Sequence, residues 1–215
     1  MDFGRVITAM ITPMHEDFSV DYDGAQKLAA YLLENGSDGL VVSGTTGESP
    51  TVSKEEKLKL YAAVHEVTKA AKKPLIAGTS SYDTAAAVEL SKKAESMGVD
   101  AILAVTPPYN KPPQEGLYRH FSAIAHAVSL PVILYNVPSR TVINLEPATV
   151  ARLAQVENIV ALKEATGNME QMTELRRLTP PDFLIYSGED SVTLPMLSLG
   201  ACGVVESDPH RFENL

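Results

Sequence analysis

The residues able to do chemistry in this chain fall into three short stretches. The first is Asn158-Ile159-Val160-Ala161-Leu162-Lys163-Glu164-Ala165-Thr166-Gly167, where a lysine closes an apolar run. An ammonium held away from water is costly, so burial favours the neutral amine. A neutral amine can attack a carbonyl carbon and form a Schiff base. The plainer alternative is a lysine whose stem packs inside while its charge reaches water. The second stretch, Gly44-Thr45-Thr46-Gly47-Glu48, offers two hydroxyls and several backbone N–H groups between glycines. Such a loop suits a small carboxylate, or is simply a glycine-rich turn with a capping threonine. The third, Tyr135-Asn136-Val137-Pro138-Ser139-Arg140-Thr141, joins a phenol to a guanidinium. Tyr135 can carry protons if it is hydrogen-bonded to a threonine or another tyrosine, and Arg140 presents a bidentate fork to a carboxylate. A buried tyrosine with a satisfied hydroxyl and a solvated loop arginine are the plainer readings.

Short apolar runs must position these groups. They are Val6–Ile11, Gly39–Ser43, Leu75–Ala77, Ala101–Thr106, Val132–Asn136, Ile159–Lys163, Phe183–Ser187 and Gly203–Val205, recurring every 20 to 36 residues. They are continuously apolar rather than alternating, as parallel strands buried on both faces are. Amphipathic segments lie between them, at about Asp21–Asn35, Ser53–Ala71, Thr84–Met97, Gln114–Val128, Glu146–Gln155, Asn168–Leu178 and Ser191–Leu199. Ser53-Lys54-Glu55-Glu56 has the spacing of a capping box, and Pro74, Pro131 and Pro181 each stand just before a strand. Strict alternation over eight strands predicts an α/β fold closed as a (β/α)8 barrel, with an open doubly wound sheet as the alternative. No G-x-G-x-x-G follows a strand, so a dinucleotide site has little support.

The bulk composition narrows the function further. With 215 residues, 45% hydrophobic and 21% charged, the chain has an ordinary globular composition. A net charge of −9 argues against a nucleic-acid partner. No stretch approaches the roughly 20 apolar residues that span a bilayer, and the N-terminus has no apolar signal core. The single cysteine, Cys202, excludes an intrachain disulfide. A cytoplasmic protein is expected.

In a (β/α)8 barrel, chemistry gathers at the C-terminal ends of the strands. Thr45, Thr46, Tyr135, Arg140 and Lys163 all fall there, so a shared site is favoured over separate structural roles. Pro107-Pro108-Tyr109-Asn110-Lys111-Pro112-Pro113, after the fourth run, forms a stiff loop presenting Tyr109. Gly188 and Val205, at the ends of the seventh and eighth runs, complete the expected substrate-binding set.

These motifs, with Gln114-Glu115-Gly116-Leu117-Tyr118, resemble those of the dihydrodipicolinate synthase family, over about Gly4 to Val205. The resemblance implies a metal-free, cofactor-free condensation of pyruvate with L-aspartate 4-semialdehyde to 4-hydroxy-tetrahydrodipicolinate, on the diaminopimelate route to lysine. It implies that Lys163 forms the Schiff base and that Tyr135 relays protons with Thr45. Tyr109 would complete the relay from a neighbouring subunit of a homotetramer. Thr46 would hold the pyruvate carboxylate, and Arg140 would meet the aldehyde's carboxylate. N-acetylneuraminate lyase and 2-keto-3-deoxy-sugar acid aldolases are the alternatives; Arg140 after Val137-Pro138-Ser139 favours the synthase.

Two departures from the family pattern shape the expectations. Positions aligned with its allosteric lysine site hold Lys54, Lys57, Tyr82, Ala86 and Pro108, which predicts weak or no feedback by lysine. Glu206-Ser207-Asp208-Pro209 replaces small neutral residues expected after the eighth strand. Residues 1–205 are therefore expected to form a barrel lacking its eighth helix and the family's C-terminal helical segment, with 206–215 a divergent tail. An inactive truncated fragment is the alternative to a working enzyme.

Overall fold

A computed structural model of the chain describes residues 3–207. Eight parallel strands close into a barrel in sequence order: β1 (Val6–Ala9), β2 (Gly39–Val42), β3 (Leu75–Gly78), β4 (Ala101–Val105), β5 (Val132–Asn136), β6 (Ile159–Glu164), β7 (Leu184–Ser187) and β8 (Gly203–Glu206). Pairing of β8 with β1 completes the circle, so the closed barrel, and not the open sheet, is the architecture.

Closure explains the continuously apolar strands. Alternate residues point inward and outward, and both directions are dry. Ile7, Val41, Ile76, Leu103, Ile133, Ala161, Tyr186 and Val205 form the inner core. Leu40, Val42, Leu75, Ala77, Ile102, Leu134 and Leu162 face outward into a shell of helices. Branched aliphatic residues suit both layers because they fill the pleated surface with little rotamer freedom to lose.

The helical ring comprises α1 (Tyr22–Glu34), α2 (Lys54–Ala71), α3 (Thr84–Ser96), α4 (Gln114–His126), α5 (Pro138–Thr141), α6 (Pro147–Leu153), α7 (Met169–Leu178) and α8 (Thr193–Ser198). Local sequence sets their starts. Asp21, Asp83 and Asn168 accept hydrogen bonds from Gly24, Ala85 and Gln171 N–H, and Ser53 with Glu56 forms the expected reciprocal capping box. Each such cap contributes about 1 kcal/mol.

Three details differ from the sequence expectation. The single turn α5 follows β5, where Pro138 presets the first helical φ; it is too short to leave a periodic signal. The segment expected at Ser191–Leu199 opens as a 3-10 turn, Asp190–Val192, before α8. Finally, β8 takes in Glu206, which pairs with Thr8 of β1, whereas the tail was expected to begin there. Residues 208–215, and with them the expectations about the tail and a helix after β8, lie outside the described residues.

Candidate active site

The three chemical stretches converge at the C-terminal mouth of the barrel. Tyr135 and Lys163 are register partners on the adjacent strands β5 and β6, so both point into the barrel at the same height. The Lys163 Nζ lies 4.6 Å from the centroid of the Tyr135 ring. Both side chains are only 6% exposed. They line a cavity of about 680 Å³ together with Thr45, Thr46, Arg140 and Gly188.

Burial tunes both groups. It pulls the Lys163 ammonium down to about 8; the Glu206 charge opposes this, Arg140 adds to it, and Asp190 opposes it. A substantial fraction of neutral amine is therefore available near neutral pH. Burial pushes the Tyr135 phenol up to about 12, against the Arg140 charge and a hydrogen bond with Thr45. Tyr135 thus keeps its proton at neutral pH and can lend it, with Thr45 as the next station.

Gly188 belongs to the lysine as much as to any substrate. A Cβ there would lie 2.7 Å from Lys163 Cε and 2.9 Å from its Cγ. Only a residue without a side chain lets the loop after β7 pass beside the lysine stem. The loop after β2 is fixed just as firmly. Ser43 and Glu48 adopt left-handed φ values of 56° and 53°, and Thr12 Oγ1 donates to the Gly47 carbonyl at 2.7 Å. This holds Thr45 and Thr46 in the lining of the cavity.

Glu164, the neighbour of Lys163, points to the other side of β6 and has a different role. It is 1% exposed and accepts hydrogen bonds from Thr166 N–H at 2.7 Å, Asn136 Nδ2 at 3.1 Å and Gln171 Nε2 at 3.2 Å. Asn136 also donates to Asn144 Oδ1 and accepts from Leu145 N–H. This knot ties β5, β6, α7 and the segment before α6 behind the reactive pair. Sequence reasoning passed over Glu164 and Asn136. The available signal was a second charged residue in an apolar strand, one position from the lysine and so on the opposite face.

Two of the expected site residues are not brought to the cavity. Val205 is 1% exposed within the inner core, and its successor Glu206, the last residue of β8, lines the cavity instead. Tyr109 is 92% exposed on the loop after β4, with a left-handed φ of 74°, and does not line the cavity of its own chain.

A second cavity, of about 620 Å³, shares Gly44, Thr45, Tyr135 and Arg140 with the first. Lys57, Tyr82, Ala86 and Pro108 line its outer part. Lys54 does not; it pairs with Glu89 at 3.0 Å on the surface.

Comparison with known proteins agrees with this geometry. The 4-hydroxy-tetrahydrodipicolinate synthase of Desulforamulus reducens is 61% identical over 211 residues, covering 98% of this chain and 71% of the relative. A dihydrodipicolinate synthase of Bacillus anthracis superposes with a TM-score of 0.96 at 48% identity, covering 100% of this chain and 73% of that one. The chloride-inhibited dihydrodipicolinate synthase of Acinetobacter baumannii complexed with pyruvate superposes with a TM-score of 0.91 at 43% identity, covering 95% and 70%. With its barrel, its buried strand-end lysine and a match over residues 2–212, the chain belongs to the dihydrodipicolinate synthetase family.

Proposed function

We propose that this chain condenses pyruvate with L-aspartate 4-semialdehyde to give 4-hydroxy-tetrahydrodipicolinate, a lyase reaction of lysine biosynthesis by the diaminopimelate route. The observation that carries the reading is a buried lysine with a lowered pKa, facing a protonated tyrosine at the barrel mouth. The neutral Nζ of Lys163 attacks the ketone of pyruvate, and loss of water leaves an imine. The imine withdraws electrons from the adjacent methyl, which gives up a proton and becomes an enamine that attacks the aldehyde carbon. Tyr135 and Thr45 hand protons to and from these intermediates. Thr46 and the N–H groups of its loop hold the pyruvate carboxylate, and Arg140 binds the carboxylate of the aldehyde.

Tyr109 is read as the third member of the proton relay, acting in a neighbouring subunit of a cytoplasmic homotetramer. Its exposure, its left-handed backbone and the prolines around it favour a group offered outward. Among the described residues, no helix is long and apolar enough to cross a membrane. Lys57 at the second cavity opposes a cationic ligand there, which supports weak or no feedback by lysine.

The test is reduction with borohydride in the presence of pyruvate, followed by intact mass. A pyruvyl adduct that disappears in Lys163→Ala is expected; folded protein that traps nothing would overturn the reading. Turnover with aspartate semialdehyde and none with N-acetylneuraminate or keto-deoxy sugar acids is expected in the second arm.

A further inference from the structure

Glu206 stands in the cavity without a role in the reaction set out above. It ends β8, held in the ladder opposite Thr8 of β1, and lines the same cavity as Lys163, Tyr135 and Arg140. Its Oε1 is buried and has no hydrogen-bond partner among the described residues. Nor does a direct ion pair join it to Lys163 among those residues.

An amine and a carboxyl that share one proton exist in two forms with the same proton count: ammonium with carboxylate, or amine with carboxylic acid. Water favours the first. Burial penalises two separated charges and so raises the share of the second. We propose that Glu206 is a further catalytic residue, sharing one proton with Lys163 and, as the carboxylic acid, protonating the hydroxyl that leaves as water when the imine forms. The inference rests on the reading of Lys163 as the Schiff-base nucleophile.

The step balances. The Lys163 amine adds to the carbonyl carbon, and one nitrogen proton passes to the oxygen, giving a carbinolamine. Glu206 gives its proton to that hydroxyl as the C–O bond breaks, and the nitrogen lone pair forms the C=N bond. Water departs, leaving a protonated imine and a Glu206 carboxylate that neutralise one another. One form of the pair thus supplies both a nucleophile and an acid.

The electrostatics bring the two proton affinities close together, to about 7 for Glu206 and about 8 for Lys163, so the amine–acid form is the accessible minor partner of the ammonium–carboxylate form. Burial pushes Glu206 upward, the Lys163 charge opposes this, and hydrogen bonding and charge from Asp190 with charge from Glu189 add to it. Burial pulls Lys163 downward. The two groups therefore titrate as a coupled pair. The charged and titratable groups facing them are Tyr135 on β5, Arg140 on α5, and Glu189 and Asp190 after β7.

The experiment is the rate of borohydride-trapped pyruvate adduct on the whole chain as a function of pH, for the parent protein and for Glu206→Gln. The parent is expected to give a bell, because both the doubly protonated and the fully deprotonated pair are inactive. Glu206→Gln is expected to slow trapping by roughly 100-fold and to lose the basic limb, leaving a rise as Lys163 deprotonates. A purely structural role for Glu206 would leave the bell in place. A parent that traps no pyruvate would remove the Schiff-base reading and this one with it. A parent that traps pyruvate while Glu206→Gln matches it in rate and profile would overturn this inference alone. Should Glu206→Gln fail to fold, Glu206→Ser is measured in its place, and a parent profile without a basic limb overturns the inference by itself.

Discussion

The two ends of the barrel use polar residues in opposite ways. At the N-terminal end, three polar side chains hold backbone groups. Asp38 accepts from Arg5 N–H at 2.9 Å and Val6 N–H at 3.2 Å, Asp100 accepts from Leu75 N–H at 2.8 Å, and Asn158 donates to the carbonyls of Ala125, Val128 and Leu130. These residues stand just before β2, β4 and β6, where the chain enters the barrel and its first ladder groups need partners. At the C-terminal end, Lys163, Tyr135, Arg140 and Glu206 line a cavity, and burial with the charges around it shifts the protons of Lys163, Tyr135 and Glu206. One end satisfies its polar groups and gains stability. The other gathers them around a cavity, with Lys163 and Tyr135 buried.

Substitutions at the two ends should therefore separate chemistry from stability. The largest effect is expected from Lys163→Ala, which should abolish the pyruvate adduct in intact mass while leaving the unfolding midpoint unchanged or higher, since a costly buried amine is removed. Tyr135→Phe should follow, cutting turnover by roughly 100-fold with the fold intact, because only the relay proton is lost. Gly188→Ala should lower the adduct rate by roughly 10- to 100-fold, because the new Cβ displaces the lysine stem. If Gly188→Ala traps pyruvate normally, the glycine is not what shapes the lysine's path.

At the other end the readout is stability. Asn158→Ala should lower the free energy of unfolding by about 1–3 kcal/mol in a denaturant titration, since three carbonyls lose a donor, without changing the pH profile of the adduct rate. The smallest effect is expected at Asp38. Burial alone would raise its pKa, but the Arg5 and Val6 N–H groups and Lys73 hold it below the usual carboxylate value. The folded form thus prefers the ionised carboxylate. Its contribution is fully present above the unfolded pKa and is lost as pH falls through the folded one. Asp38→Asn should therefore narrow the difference in melting temperature between neutral and acidic pH. An unchanged difference would mean that this end of the barrel owes nothing to the charge.

Much of this was legible in the residues. The eight apolar runs became the eight strands, with ends shifted by a residue or two, because a strand dry on both faces leaves an unbroken apolar signature. Lys163, Tyr135, Thr45, Thr46 and Arg140 were readable because strand-end position alone sends such groups to one mouth. Less legible were α5, too short for a period, and Glu164 with Asn136, whose worth depends on partners such as Asn144 and Gln171. Val205 shows the limit of reasoning from strand ends. The inner core takes in Val205, and the cavity lining takes in the next residue, Glu206.

The sequence by itself determined the repeating β-α order, the helix caps and the chemical types brought to the mouth, because these follow from local periodicity, hydrogen bonding and side-chain identity. Only the tertiary structure decided that Lys163 and Tyr135 share a register, that Gly188 clears the lysine's path, and that Glu206 enters the same cavity. Those facts depend on how strands distant in sequence align and on how much water the closed barrel excludes. Proximity and desolvation are properties of the assembled fold, and they underlie the proposed role of a strand-end lysine as a nucleophile.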